Sequence, residues 1–316
     1  MLLQILRRTA ALVASLIVSS VLVFVFMALL PGDPARVALG VSASDASVAQ
    51  LRQQFGLDRP LVSQYFSWIS GFLRFDLGTS YVSRVAIAPQ IIDRLQVTLW
   101  LVVCSMVLAL VIAVPFGTLM ALRQRRPSGL VLSALSQVGV AVPAFLAGIL
   151  LVTVFAVKLQ WLPANGWTPP DEDPVQFLRQ LVLPVLSLGL VQGAVLTRYV
   201  RSAILDVQRE DYIRTARAKG LGPMQALRRH GFRNAAIPVV TVLALQLATL
   251  LIGAVVVERV FVIPGLGSLL LDQVANRDLI FVQDIVMLLV LAVLLVNFVV
   301  DLLYLVIDPR LKVATR

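Results

Sequence analysis

The chain has 316 residues, 59% of them hydrophobic and only 14% charged, and a formal net charge of +10. Soluble domains carry roughly a quarter charged residues, so this composition, with a mean hydropathy of +0.91, excludes a soluble fold and excludes disorder. A single cysteine, Cys104, and a single histidine, His230, exclude a disulfide framework and any site built from several imidazoles.

A helix needs about twenty apolar residues to cross a bilayer core of roughly 30 Å. Six stretches qualify, at about 9–30, 97–122, 130–157, 181–200, 237–257 and 284–307, which predicts an all-α integral membrane protein with six transmembrane helices. The first follows Arg7 and Arg8 but is longer than the ~7–15 residues of a cleaved signal core, and no clear A-x-A site follows it. It reads as a retained anchor.

Between the first two spans lies a sizeable segment, 31–96, whose charges nearly balance and which holds Phe55, Tyr65, Phe66, Trp68, Phe72, Phe75 and Tyr81. Tyr65, Trp68, Ile69 and Phe72 fall at helical spacing, so the segment reads as structured. Pro115, Pro143, Pro184 and Pro238 lie in or near the later spans. Each removes a backbone donor and bends a helix, which suits a protein that rearranges and equally suits ordinary packing in a bundle. Asp301 is the exception to spans nearly free of midspan charge, and a structural pairing is its better reading.

The stretch 198–236 is the most charged part of the chain. From Asp206 to Lys219 it contains neither Pro nor Gly, with Glu210 and Asp211 early and Arg217 and Lys219 late, as the helix dipole favours. Gly220 and Gly222 then break the predicted helix, and Pro223 opens a second, short one running to about Asn234 and into the fifth span. Ala216 and Gly220, four apart, are expected to share one smooth helical face. Periodicity alone leaves open whether this is a solvated loop helix or a contact helix.

Lysine and arginine placement sets the orientation. With the N-terminus inside, 17 of the 27 basic residues fall on the inner side. The basic excess is then a topology signal, and no nucleic acid is needed to explain it. Trp68, Trp100, Trp161 and Trp167 all fall on the outer side or at its boundary, where amphipathic rings prefer to sit. No phosphate-cradling G-x-x-x-x-G-K-[ST], no G-x-S-x-G and no H-E-x-x-H occurs, so an enzymatic role has no residues to carry it.

Thr215-Ala-Arg-Ala-Lys-Gly220, followed by Arg233-Asn-Ala-Ala-Ile-Pro238, resembles the EAA loop of ABC importer permeases, and more narrowly the B-type permease of dipeptide, oligopeptide and nickel importers (DppB/OppB-like). The likeness covers nearly the whole chain. It includes Leu30-Pro-Gly-Asp-Pro-Ala35, Phe55-Gly-Leu-Asp-Arg-Pro-Leu61 with Gln64, Tyr65 and Trp68, Asp76-Leu-Gly-Thr-Ser80, Pro143-Ala-Phe145, Trp161-Leu-Pro163, Glu258 with Pro264-Gly-Leu-Gly267, Arg277-Asp278 and Asp308-Pro-Arg310. Departures are few: Gln96 stands where proline is common, Leu279-Ile280 where an aromatic or proline is usual, and Thr215 where the general motif has alanine.

The resemblance implies a type I ABC importer permease fold with domains at 1–30, 31–96, 97–307 and 308–316, and a coupling loop at 198–236. It implies a coupling helix at Asp211, Tyr212, Thr215, Ala216, Arg217, Ala218, Lys219, Gly220 and Leu221, seated in a groove of a cytosolic ATPase. The implied partners are a sister permease, two ABC ATPase subunits or one fused ATPase, an extracytoplasmic substrate-binding protein and the lipid bilayer. ATP and Mg would be bound by the ATPases, with no cofactor or metal in this chain. The implied cargo is short peptides, with nickel, glutathione or another small solute as alternatives. An ion-coupled secondary transporter is the competing class. Tyr65, Trp68, Phe72, Phe75, Asp76 and Tyr81 are candidate binding-protein contacts, with a cap over the outer pore mouth as the other reading of 31–96. The implied location is the bacterial inner membrane, with both termini cytoplasmic.

Overall fold

Inside a bilayer every backbone N–H and C=O must be satisfied within its own segment, so long apolar runs become helices. The computed structural model describes residues 2–40 and 43–307. The basic tail with Asp308-Pro-Arg310 lies outside the described residues. Among these residues the regular structure is helical, apart from one isolated antiparallel bridge between Thr79 and Ala86. In chain order the helices are α1 (Leu2–Leu29), α2 (Pro34–Leu39), α3 (Asp45–Phe55), α4 (Leu61–Leu73), α5 (Ile87–Leu122), α6 (Pro127–Ala141), α7 (Ala144–Leu151), α8 (Pro174–Gln208), α9 (Asp211–Ala218), α10 (Pro223–Ala226), α11 (Phe232–Val260), α12 (Leu266–Ala275) and α13 (Leu279–Ile307).

Five helices are long and apolar enough to cross a membrane. The third expected span, 130–157, is not a straight helix: α6 and the run Ala144–Lys158, whose last seven residues form a π-helix, meet at 98°. The break falls at Val142, whose backbone is extended (φ −88°, ψ 121°), because Pro143 clashes with a helical conformation of the residue before it. Six spans are present only if this bent pair counts as one. Pro115, Pro184 and Pro238 behave differently, each lying inside an unbroken helix.

The chain divides into two compact units. The first comprises residues 1–98 and 264–298. Here α2 starts at Asp33, whose side chain accepts from Ala35 N at 3.0 Å, with Pro34 at the first helical position. A small core of Ala35, Val48 and Leu51 joins α2 to α3. A larger core of Ile87, Ile91, Leu266, Leu269, Phe281 and Ile285 joins the start of α5 to α12 and α13. There the backbone N–H of Leu266, at the start of α12, donates to Thr98 Oγ1 at 2.8 Å.

Among the described residues the second unit comprises 99–263 and 299–307. Its centre is α8, against which α5, α6, α7 and α11 pack. Close approaches to α8 require glycine, as at Gly117 and Gly139. A Cβ on Gly117 would lie 2.7 Å from Val200 Cβ, and one on Gly139 would lie 2.7 Å from Ala194 Cβ. Small residues that let backbones approach are the expected source of helix association in lipid, where apolar side chains gain nothing by leaving the tails. Asp301 is half-buried in α13 and is not free of a partner.

Candidate functional site: a capped surface helix and an aromatic anchor

The stretch 198–236 contains little loop. Its first residues continue α8 to Gln208, so the helix expected from Asp206 to Lys219 is interrupted at Arg209–Glu210, and α9 starts afresh at Asp211. The second predicted helix also has no break before the fifth span. Pro223 opens α10, a π-turn follows at Leu227–Gly231, and α11 carries on.

Helix α9 ends in a Schellman motif. Gly220 N–H donates to Arg217 O at 3.0 Å and Leu221 N–H to Ala216 O at 3.3 Å, while Gly220 takes φ +92°. The expected common face of Ala216 and Gly220 therefore does not exist. Gly220 lies beyond the helix end, serving its termination. Ala216, with Ile213 three residues before it, is buried on the inner side of α9, towards α8, α10 and the π-turn. Val207, Ala226 and Leu227 are buried on those neighbouring elements.

The opposite face of α9 is exposed and carries Asp211, Arg214, Thr215, Arg217, Ala218 and Lys219. Leu221 is half-buried. Tyr212 straddles the boundary, its hydroxyl accepting from Asn234 Nδ2 at 2.7 Å, which ties α9 to the start of α11. The Asp211–Arg214 pair at 3.3 Å is surface-exposed and contributes little. The result is a rigidly mounted helix with a polar, mainly basic outer face, flanked by exposed Met224, Arg228 and Arg229. Its buried side is filled by its own chain.

In the first unit most aromatics of 31–96 are partly buried, whereas Phe66 and Phe75 are exposed. Trp68 Nε1 donates to Asp284 Oδ1 at 2.8 Å, and the Tyr65 hydroxyl pairs with Ser20 Oγ at 2.9 Å. Phe24, Tyr65, Trp68 and Phe72 form a run of ring contacts, and Phe55 stacks on Tyr81 at 4.1 Å. Fully buried Asp278 accepts from Ser80 Oγ and, at 3.3 Å, from Tyr81 N. Burial, reinforced by the negative Asp278 and Asp284, pushes the Tyr81 phenol up to about 12, so it stays neutral. Of the six candidate contacts, Phe75 and Asp76 are solvent-exposed, and the other four are half-buried among neighbours.

Two features escaped the sequence reading. Asp278 is an anchor for residues nearly two hundred positions away, a pairing that no local pattern announces. Gln192 and Gln246 join α8 and α11 by an amide–amide bond of 2.8 Å. Two amides amid apolar spans were a readable signal for that pair. Among the described residues no group of three or more His, Cys, Asp or Glu could hold a metal ion.

Comparison with known proteins identifies the family. Residues 113–313 match the binding-protein-dependent transport system inner membrane component family, and residues 1–102 match the N-terminal region of such membrane components. The chain is 42% identical over 316 residues to the glutathione transport system permease protein GsiC of Escherichia coli strain K12, covering 99% of each. It is 42% identical over 315 residues to GsiC of Salmonella choleraesuis, again over 99% of each. Among solved structures it resembles the inward-facing MetNI methionine ABC transporter, with a TM-score of 0.57 and 19% identity, over 69% of this chain and 96% of that one. That likeness speaks for the fold alone.

Proposed function

Because the chain belongs to the family of binding-protein-dependent transport system inner membrane components, as a multi-pass permease subunit of an ABC importer, we propose that its cargo is short peptides, glutathione among them. The observation that carries this is the 42% identity, over 99% of both chains, to a glutathione transport permease; glutathione is itself a short peptide. Nickel stands as the weaker alternative.

In this reading the chain forms a translocation path with a sister permease and hydrolyses no ATP itself. Separate ATPase subunits bind ATP and Mg and dock on the outer face of α9, at Arg214, Thr215, Arg217, Ala218 and Lys219. A binding protein delivers cargo from the opposite side, where Phe75 and Asp76 are the exposed contacts. The N-terminus lies in the cytoplasm of a bacterial cell, and the whole sits in the inner membrane.

The orientation has a physical basis: α9 then lies on the side richer in Lys and Arg. The mechanical basis is the buried underside of α9. A displacement imposed on its outer face would pass through buried Ile213 and Ala216 to α8, α10 and the π-turn, and through the Tyr212–Asn234 bond to α11.

Two measurements test the reading. Tagged protein carrying Arg217→Glu should retain its thermal stability yet lose the P-loop ATPases that co-purify with the unaltered chain. ATPases retained in full would remove α9 as the docking helix. Uptake of radiolabelled glutathione and a dipeptide panel, in cells dependent on this importer, should report peptide transport. Uptake of Ni²⁺ alone would overturn the cargo.

A further inference from the structure

In the first unit a cavity of about 410 Å³ opens where α1 ends, lined among others by Arg52, Arg59, Gln64, Trp68 and Gln283. Several of its donors are already engaged: Gln64 Nε2 donates to Leu57 O and Arg59 O, and Trp68 Nε1 to Asp284 Oδ1. Arg52 is neutralised by Asp33 at 3.0 Å, which leaves Arg59 as the cation without an acidic partner among the described residues. Gln283, more than nine-tenths buried, has an amide nitrogen with no acceptor. What remains for a ligand is the Arg59 guanidinium and the Gln283 amide nitrogen, a charged and a neutral donor that together suit an anionic ligand with acceptor oxygens.

The cavity does not end in protein. Met27 also borders an apolar groove of about 490 Å³ formed by Leu22, Val25, Phe26 and Leu29 of α1 with Val286 of α13. A further depression between the same two helices runs past Ala14, Ser15, Val18 and Leu294. From Ser15 to Met27 a helix rises about 18 Å, slightly more than half of a roughly 30 Å bilayer core. The polar cavity thus adjoins, at Met27, the first of two apolar depressions that α1 and α13 form along about one leaflet's depth.

We propose that this composite site binds an anionic phospholipid, its phosphate beside Arg59 and the Gln283 amide and its acyl chains along the groove between α1 and α13. The apolar continuation is what selects a lipid over a soluble anion. Trp68 and Tyr81 supply the aromatic wall at head-group depth, where such rings are favoured. The lipid would act as a fitted wedge between the first and last spans, independently of which cargo the permease carries.

The test uses the full-length chain with Trp100, Trp161 and Trp167 changed to Phe, so that Trp68 alone reports. It is placed in phosphatidylcholine nanodiscs containing a small fraction of brominated phosphatidylglycerol or brominated phosphatidylcholine. Brominated phosphatidylglycerol should quench Trp68 about fivefold more effectively, as expected for one basic contact to an anionic lipid. Arg59→Gln, at an exposed position, should abolish that preference. Ala28→Phe, also exposed and on the cavity wall, should lower quenching by both lipids. Equal quenching by the two lipids overturns the proposal. So does a preference that survives Arg59→Gln, or one that inorganic phosphate erases. Loss of the preference on adding a sister permease would assign the groove to a protein helix instead.

Discussion

Helix α9 and the segment 31–96 are both polar-edged pieces of an apolar chain, yet they use their side chains in opposite ways. In α9 the small residue of the motif, Ala216, is buried and the charged residues face out. In 31–96 Phe55, Tyr65, Trp68, Phe72 and Tyr81 are half-buried, with Trp68 bonded to Asp284 and Tyr65 to Ser20. The difference teaches that a contact motif should not be read as a contact surface. A short exposed helix needs a filled underside to hold its position, and the smallest residues fit that role. An extramembrane segment of some sixty residues needs a fastening, and aromatic rings with polar tips supply it.

The comparison breaks most severely at Asp278. Asp278→Ala leaves buried Ser80 Oγ and the Tyr81 N–H without their acceptor, at a cost of about 3 kcal/mol for the two groups. Detergent-phase thermal unfolding should register this as a large drop in Tm, with 31–96 becoming the first region to lose amide-exchange protection. A drop confined to the α9 region would contradict the anchoring role.

Gly220→Val comes next. Its φ of +92° has open space around a Cβ, so the penalty is conformational, about 1–2 kcal/mol for an L-residue in left-handed backbone. Gly220→Asn should recover much of it, since Asn tolerates that region. Both should fray the end of α9 in hydrogen exchange while leaving the 31–96 segment unchanged.

Smaller still is Phe75→Ala with Asp76→Asn. These side chains are exposed, so stability should move by no more than about 0.5 kcal/mol. If they meet the binding protein, its affinity should fall severalfold in a surface-binding measurement. An unchanged affinity would favour the cap reading of the segment.

Tyr81→Phe should have no effect on the pH dependence of stability below about pH 10, where the phenol is neutral whether the chain is folded or unfolded. Between pH 10 and about 12 the unfolded chain ionises Tyr81 while the folded chain holds its proton. Stability therefore falls as pH rises through that window. Replacement by Phe should flatten that part of the profile, as read from Tm against pH.

How legible the molecule was depended on the range of the interaction. The spans at 9–30, 97–122, 181–200, 237–257 and 284–307 follow from composition, since backbone satisfaction in lipid leaves helices as the outcome. The stop at Gly220 and the start at Pro223 were readable because caps are local chemistry. The 98° bend at Val142 was signalled by Pro143, whereas Pro115, Pro184 and Pro238 gave the same signal inside unbroken helices. Proline reports a lost donor and a steric clash, and the packing around it decides whether the helix yields.

By itself, the sequence determined that this protein lives in a membrane, that it is helical, where its spans and helix caps fall, and which family it resembles. Only tertiary structure decided that Ala216 faces inward, that the helix expected from Asp206 is interrupted at Arg209–Glu210, and that Asp278 and Asp284 fasten 31–96 to the last span. Periodicity names the face of a helix, but which face finds a neighbour depends on chain segments far away in sequence. Those long-range partners become visible only once the chain has packed.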